Sequence, residues 1–174
     1  TGKGGGAISL YTTGESTIVN STFVGNQQLG TGGIGGGALM AQVSDNTSSG
    51  TLDVMVEHCT FKDNFDAKYS GSAILSSVSD TTILLRNNIF EETEASLSLS
   101  ENQRALLDVV GLGAIETLGG NISTDSSKTT YTFYRDSVPT VYLLDTSANG
   151  GDKTLTDPLL LPLADNGGPT WTCA

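Results

Sequence analysis

The sequence predicts an all-β fold, a solenoid of stacked coils closed by an irregular C-terminal segment. Three observations predict it: an internal repeat, apolar columns of period two inside that repeat, and a composition rich in turn formers and poor in charge. The repeat opens three times, at Gly5-Gly6-Ala7-Ile8, Gly36-Gly37-Ala38-Leu39 and Gly71-Ser72-Ala73-Ile74. It closes at Ser21-Thr22-Phe23-Val24-Gly25-Asn26, at Cys59-Thr60-Phe61-Lys62-Asp63-Asn64 and at Asn88-Ile89-Phe90. The openings lie 31 (36 − 5) and 35 (71 − 36) residues apart. That period belongs to units too small to bury a core singly, which gain one by stacking. The chain has 22 Gly among 174 residues and is 16% charged, against a usual value of about 25%.

Each repeat reads in order as a corner, a strand, a loop, a second strand ending in Phe, and a polar corner. The corner glycines are Gly5, Gly6, Gly36, Gly37 and Gly71. Glycine there supplies positive φ and lets stacked backbones approach. The aliphatic residue that follows begins an inward-facing strand. Aligning the three Phe residues gives the core columns. Phe23, Phe61 and Phe90 share their face with Ile18, Val56 and Leu85 five residues earlier, and with Ser16, Val54 and Ile83 seven residues earlier. Ser21, Cys59 and Asn88, two before Phe, fall on the same face. The column four before Phe holds Val19, Glu57 and Arg86, so it faces water and pairs Glu57 with Arg86.

Two polar ladders are expected. The first is Asn20, His58 and Asn87, three residues before each Phe. The second is Asn26 and Asn64, three residues after, where the third repeat has Thr93. Stacked rungs place like residues about 4.8 Å apart, and Asn both tolerates left-handed backbone and hydrogen-bonds along a ladder. The regular repeats occupy residues 1–95. Residues 96–174 form degenerate coils and a capping segment, in one continuous domain. Within them Leu97 to Val110 reads as strand or a short helix, with Glu101 to Leu107 the one plausible helical turn, and Gly111-Leu112-Gly113-Ala114-Ile115 reads as a degenerate fourth opening. Residues 129–134 and 138–144 are strand-like, and the end is punctuated by proline and glycine.

The residues resemble known repeats. Gly-Gly-Ala-Ile with Phe-x-x-Asn resembles the polymorphic outer-membrane protein (Pmp-like) family. Gly120-Asn121-Ile122 followed by Asp157-Pro158-Leu159 and Asp165-Asn166-Gly167-Gly168-Pro169 is similar to the tail of bacterial surface proteins with a choice-of-anchor domain. The third repeat departs from the pattern, with Ser72 for Gly and no final Asn. The resemblance implies a right-handed parallel β-helix, secreted or displayed at a cell surface, with structural or adhesive work and no shared catalytic residues.

Charge and motifs narrow the function. The net charge of −11 repels nucleic-acid phosphates and anionic lipid, so neither is an expected partner. No apolar run approaches the ~18 residues of a membrane-spanning helix, so membrane insertion is not expected of this segment. No cofactor is expected. Calcium is the one ion the acidic loop Asp63-Asn64-Phe65-Asp66 raises, and that loop lacks the spacing and glycine of an EF-hand. Three Asn-x-Ser/Thr sites occur, at Asn20, Asn46 and Asn121. Cys59 reads as a small core residue, and Cys173 lies one residue from the end. Parallel β-helices also host polysaccharide-cleaving enzymes, which need paired carboxylates. Here the exposed column offers one acid and one base. His58, the only histidine, points away from Ser21 and Cys59.

The expected function is therefore non-catalytic, structural or adhesive. The first repeat has no visible cap before it: either a cap lies outside this sequence or another chain covers the end, and in the second case copies stacked end to end into filaments are the expected partners. Host or matrix glycans and proteins are further partners. The alternative is a carbohydrate-binding or polysaccharide-cleaving β-helix.

Overall fold

The computed structural model describes residues 4–29, 35–43, 50–67, 71–77, 80–92, 106–110, 113–125, 128–129, 141–147 and 151–174. Among them the secondary structure is all-β, with no helix. The chain runs through four rungs. The first is β1 (Ile8–Thr12), β2 (Gly14–Val19), β3 (Thr22–Val24) and β4 (Gln27–Gln28). The second is β5 (Leu39–Val43), β6 (Leu52–Glu57), β7 (Thr60–Lys62) and β8 (Phe65–Asp66). The third is β9 (Ile74–Ser77), β10 (Thr81–Arg86) and β11 (Ile89–Glu91). The fourth is β12 (Leu107–Val110), β13 (Ala114–Thr117) and β14 (Ile122–Ser123). A short antiparallel pair, β15 (Lys128–Thr129) with β16 (Val141–Tyr142), follows.

Equivalent strands stack into three four-stranded parallel sheets, in the orders β1-β5-β9-β12, β2-β6-β10-β13 and β3-β7-β11-β14, and β4 pairs with β8 in a further two-stranded parallel sheet. This arrangement is consistent with a parallel β-helix or solenoid. In the first sheet successive partners are offset by 31 (39 − 8), 35 (74 − 39) and 33 (107 − 74) residues. In the second the offsets are 38 (52 − 14), 29 (81 − 52) and 32 (114 − 82). Register is thus held within each sheet while the connections between sheets absorb the differences.

Burial explains why this register wins. Side chains alternate along a strand, so a slip of one residue would turn every inward residue outward. Leu39, Ala41, Val54, Val56, Ile74, Ile83, Leu85 and Leu107 are all fully buried in the core. The Phe column forms its spine. Phe23 stacks on Phe61 with ring centroids 4.8 Å apart, and Phe61 on Phe90 at 5.1 Å. Both separations match the strand spacing of about 4.8 Å, so the rings sit at stacking distance because the backbone puts them there. The outward side chains Met40, Gln42, Leu75, Ser77 and Asp108 of the first sheet are buried as well.

The opening glycines serve close approach more than turn geometry. A Cβ on Gly6 would stand 2.1 Å from the Gly37 carbonyl oxygen, and one on Gly37 would stand 1.9 Å from that of Ser72. Of the five opening glycines only Gly71 has positive φ, at 93°. Left-handed corners lie elsewhere: one column is Asn20 (φ 49°), His58 (53°), Asn87 (55°) and Gly120 (76°), and another holds Gly25 (64°) and Asp63 (51°).

Two expectations for the second half are corrected. The fourth rung enters the first sheet at Leu107, which pairs with Ile74, so Leu107 belongs to a strand; residues 101–105 of the expected helical turn lie outside the described residues. Gly111 to Ile115 is not the fourth opening, because Ile115 pairs with Ile83 in the second sheet. A glycine-small-aliphatic run can precede either strand of a rung, and only pairing tells which. Thr93, Asn46 and residues 130–140 lie outside the described residues.

Candidate functional site

The Asn20, His58, Asn87 column is the exposed corner between the second and third sheets. Its one side-chain contact along the stack joins Asn87 Nδ2 to His58 Nε2 at 3.2 Å. Beside it Arg86 Nε donates to Glu57 Oε1 at 2.8 Å, and the same oxygen lies 3.5 Å from His58 Nδ1. This contact suits the tautomer protonated at Nδ1, leaving Nε2 to accept from Asn87. The hydrogen bond from Arg86 is the main reason the Glu57 carboxyl titrates below its ordinary range. Val19 and Leu118 flank this group and are exposed. Cys59, next to His58 in sequence, turns the other way. Its buried thiol donates to the Glu57 carbonyl at 3.3 Å, and burial pushes its pKa up.

The Asn26 and Asn64 pair forms a side-chain ladder. Asn64 Oδ1 accepts from Asn26 N at 3.0 Å and from Asn26 Nδ2 at 2.9 Å, while Asn64 Nδ2 donates to the Phe23 carbonyl at 3.0 Å. The sequence reading missed a second, more deeply buried ladder. Asn88 Oδ1 accepts from Cys59 N at 3.0 Å, and Asn88 Nδ2 donates to the Val56 carbonyl at 2.9 Å. Asn121 Oδ1 then accepts from Asn88 N and Nδ2, both at 3.0 Å. Asp152 ends the series, accepting on Oδ1 from Asn121 N at 2.8 Å and from Asn121 Nδ2 at 3.0 Å. The shared spacing in Asn88-Ile89-Phe90 and Asn121-Ile122-Ser123 carried the signal, but Ser123 takes the Phe position and hides it.

The C-terminal segment folds back onto the third sheet. Lys62 and Glu91 form an ion pair on its outer side, 8% and 5% exposed. The Leu160 backbone closes over the pair: its N–H donates to Glu91 Oε2 at 3.3 Å, and its carbonyl accepts from Lys62 Nζ at 3.5 Å. Farther along, Ala164 and Thr172 form an antiparallel bridge. Cys173 is partly buried, and burial raises its thiol pKa.

The two ends of the stack differ. Among the described residues the strands β1, β2 and β3 each stand last in their sheet, with one backbone edge unpaired to another strand. At the other end Lys153 bridges Ile122 in parallel and Asp152 tops the inner ladder. Chemically, then, the molecule offers an exposed polar corner and an edge able to accept another strand in each of three sheets. Comparisons with protein-family models, with curated proteins and with solved structures give no match.

Proposed function

We propose that the chain is a non-catalytic, right-handed parallel β-helix with an irregular C-terminal cap, secreted or held at a cell surface, with structural or adhesive work. One observation carries this reading. Residues repeat where they face the core, as in Phe23, Phe61 and Phe90, and diverge where they face water, as in Val19, Glu57, Arg86 and Leu118. Such a stack is a rod whose core is fixed and whose surface is free to serve recognition. The resemblance of the repeats and tail to bacterial surface proteins supports the exported setting. Copies joined end to end are one alternative occupant of the edges of β1, β2 and β3.

Electron microscopy and sedimentation across a concentration series test the assembly; dispersed monomers at every concentration would remove it. Incubation with a panel of polysaccharides tests the rest, because release of new sugar ends would show catalysis and overturn the reading. The alternative, glycan binding, has its own observation in the exposed Glu57, His58, Arg86 and Asn87 corner. It expects Arg86→Ala to abolish retention on a glycan array.

A further inference from the structure

The Asn ladders have a direction. Asn64, Asn88 and Asn121 each accept on Oδ1 from a backbone N–H of the preceding rung and donate through Nδ2 to a carbonyl of that same rung. Asp152 follows the accepting half of the rule and, as a carboxylate, has no donor for the other half. The Asn88–Asn121 ladder therefore terminates chemically at Asp152. At the opposite end of the stack, in the separate Asn26–Asn64 ladder, stands Asn26. Its Nδ2 donates forward to Asn64 Oδ1, and no protein group among the described residues donates to its own Oδ1. By the rule that every later Asn obeys, this oxygen faces the place of a backbone N–H and an Asn amide one rung earlier.

The core at this end tells the same story by a separate measure. Phe23 is 8% exposed while Phe61 and Phe90 are at 0%. Ile8, Leu10 and Ile18 are only partly buried, whereas their partners Leu39, Ala41 and Val56 are fully buried. The ring stack, the Asn ladder and three strand edges all stop in the same plane.

We propose that the face formed by β1, β2 and β3 is a docking surface for one further parallel β-rung carrying Phe and Asn in Phe-x-x-Asn spacing. Its Phe ring would stack on Phe23, its Asn would donate N–H and Nδ2 to Asn26 Oδ1, and its Phe carbonyl would accept from Asn26 Nδ2. This is strand addition with side-chain specificity, in which backbone pairing supplies affinity and the two matched side chains supply register. The far end of a second copy fits poorly, because Ser123 stands in the Phe register there and Asp152 closes the inner ladder. The inference rests on the stacked parallel fold and does not depend on a surface or adhesive role.

A synthetic peptide of residues 51–66, with Cys59 replaced by Ser, supplies the part of such a rung that carries the Phe and the Asn. Its binding to the isotope-labelled chain is followed by fluorescence anisotropy and amide shift mapping. Saturable binding is expected, with shifts confined to β2, β3 and β4, the strands that pair with residues 52–66 within the chain. Peptides carrying Phe61→Ala or Asn64→Leu should each bind about tenfold more weakly, the loss that roughly 1.4 kcal/mol produces. These changes sit in the peptide, so the folding of the protein is untouched. Absence of saturable binding, equal binding by the altered peptides, or shifts at β12 to β14 would each overturn the proposal. Self-association that maps to both ends of the chain would assign the face to a second copy and overturn the Phe-x-x-Asn requirement. Catalysis or glycan binding in the earlier assays would leave this result unaffected.

Discussion

Truncation of the Phe column has a ranked outcome. Phe61 is fully buried and stacks on two rings, at 4.8 and 5.1 Å. Removal of a buried Phe side chain costs about 3–5 kcal/mol, and each stacked aromatic pair adds about 0.5–1.5 beyond burial. Phe61→Ala should therefore fall at the upper end, near 5 kcal/mol. Phe90 keeps one ring neighbour and Phe23 keeps one while being slightly exposed, so each should lose less, with Phe23→Ala near about 2–3 kcal/mol. Phe61→Leu preserves most of the apolar bulk and loses the stacking, for about 1–2 kcal/mol. Guanidinium unfolding followed by circular dichroism reads these differences. For a chain of this size 5 kcal/mol lowers the melting temperature by roughly 10–20 °C. A Phe61→Ala cost below about 2 kcal/mol, or a Phe23→Ala cost that equals it, would refute the view that the rings form one continuous spine.

Asn88→Ala should destabilise by about 2–4 kcal/mol in the same unfolding assay, since it removes the side-chain partners of Cys59 N and the Val56 carbonyl in a buried setting, while Asn121 Oδ1 keeps the backbone N–H of residue 88. Gly37→Ala should prevent a stable fold, because its Cβ would meet backbone atoms of Ser72 and Phe65 at 1.9 and 2.6 Å. Gly25→Ala meets nothing within 4 Å and should cost only about 1 kcal/mol for its positive φ, as thermal melts would show. The Glu57 carboxyl titrates low beside Arg86, so the stabilisation that pair supplies is present above the ordinary carboxylate pKa and is lost as pH falls through the lowered one. Carboxyl-selective NMR titration should place Glu57 below the ordinary carboxylate range, and Arg86→Met should abolish that depression.

The rings, the aliphatic columns and the Asn26–Asn64 pair were legible because bulk and spacing survive in one dimension: three Phe at constant distance from branched aliphatics leave little choice of face. The Glu57–Arg86 pair was legible for the same reason, as an outward column holding opposite charges. The Asn88–Asn121–Asp152 ladder was not, because its neighbours in register are Ser21 and Cys59 and its last member is an acid 31 residues further on (152 − 121). The site of backbone strain was also obscured. Glycine at the openings suggested positive φ, yet the structure gives that conformation to Asn20, His58 and Asn87 and leaves Gly6 and Gly37 to make room for carbonyl oxygens. Composition cannot separate those two uses of glycine. The cover that Leu160 places over Lys62 and Glu91 joins residues 98 and 69 apart, and no local pattern announces it.

The unequal offsets between rungs have a consequence for how such a molecule can change. The link from the first sheet to the second is one residue, Thr13, in the first rung and eight residues, 44–51, in the second, yet β6 still pairs residue for residue with β2. Lengthening a surface connection costs only about 0.6 kcal/mol per doubling. That link is therefore a natural graft point: foreign peptide inserted there would be carried on an unchanged frame, and new binding specificity could be acquired by insertion without rebuilding the body that presents it.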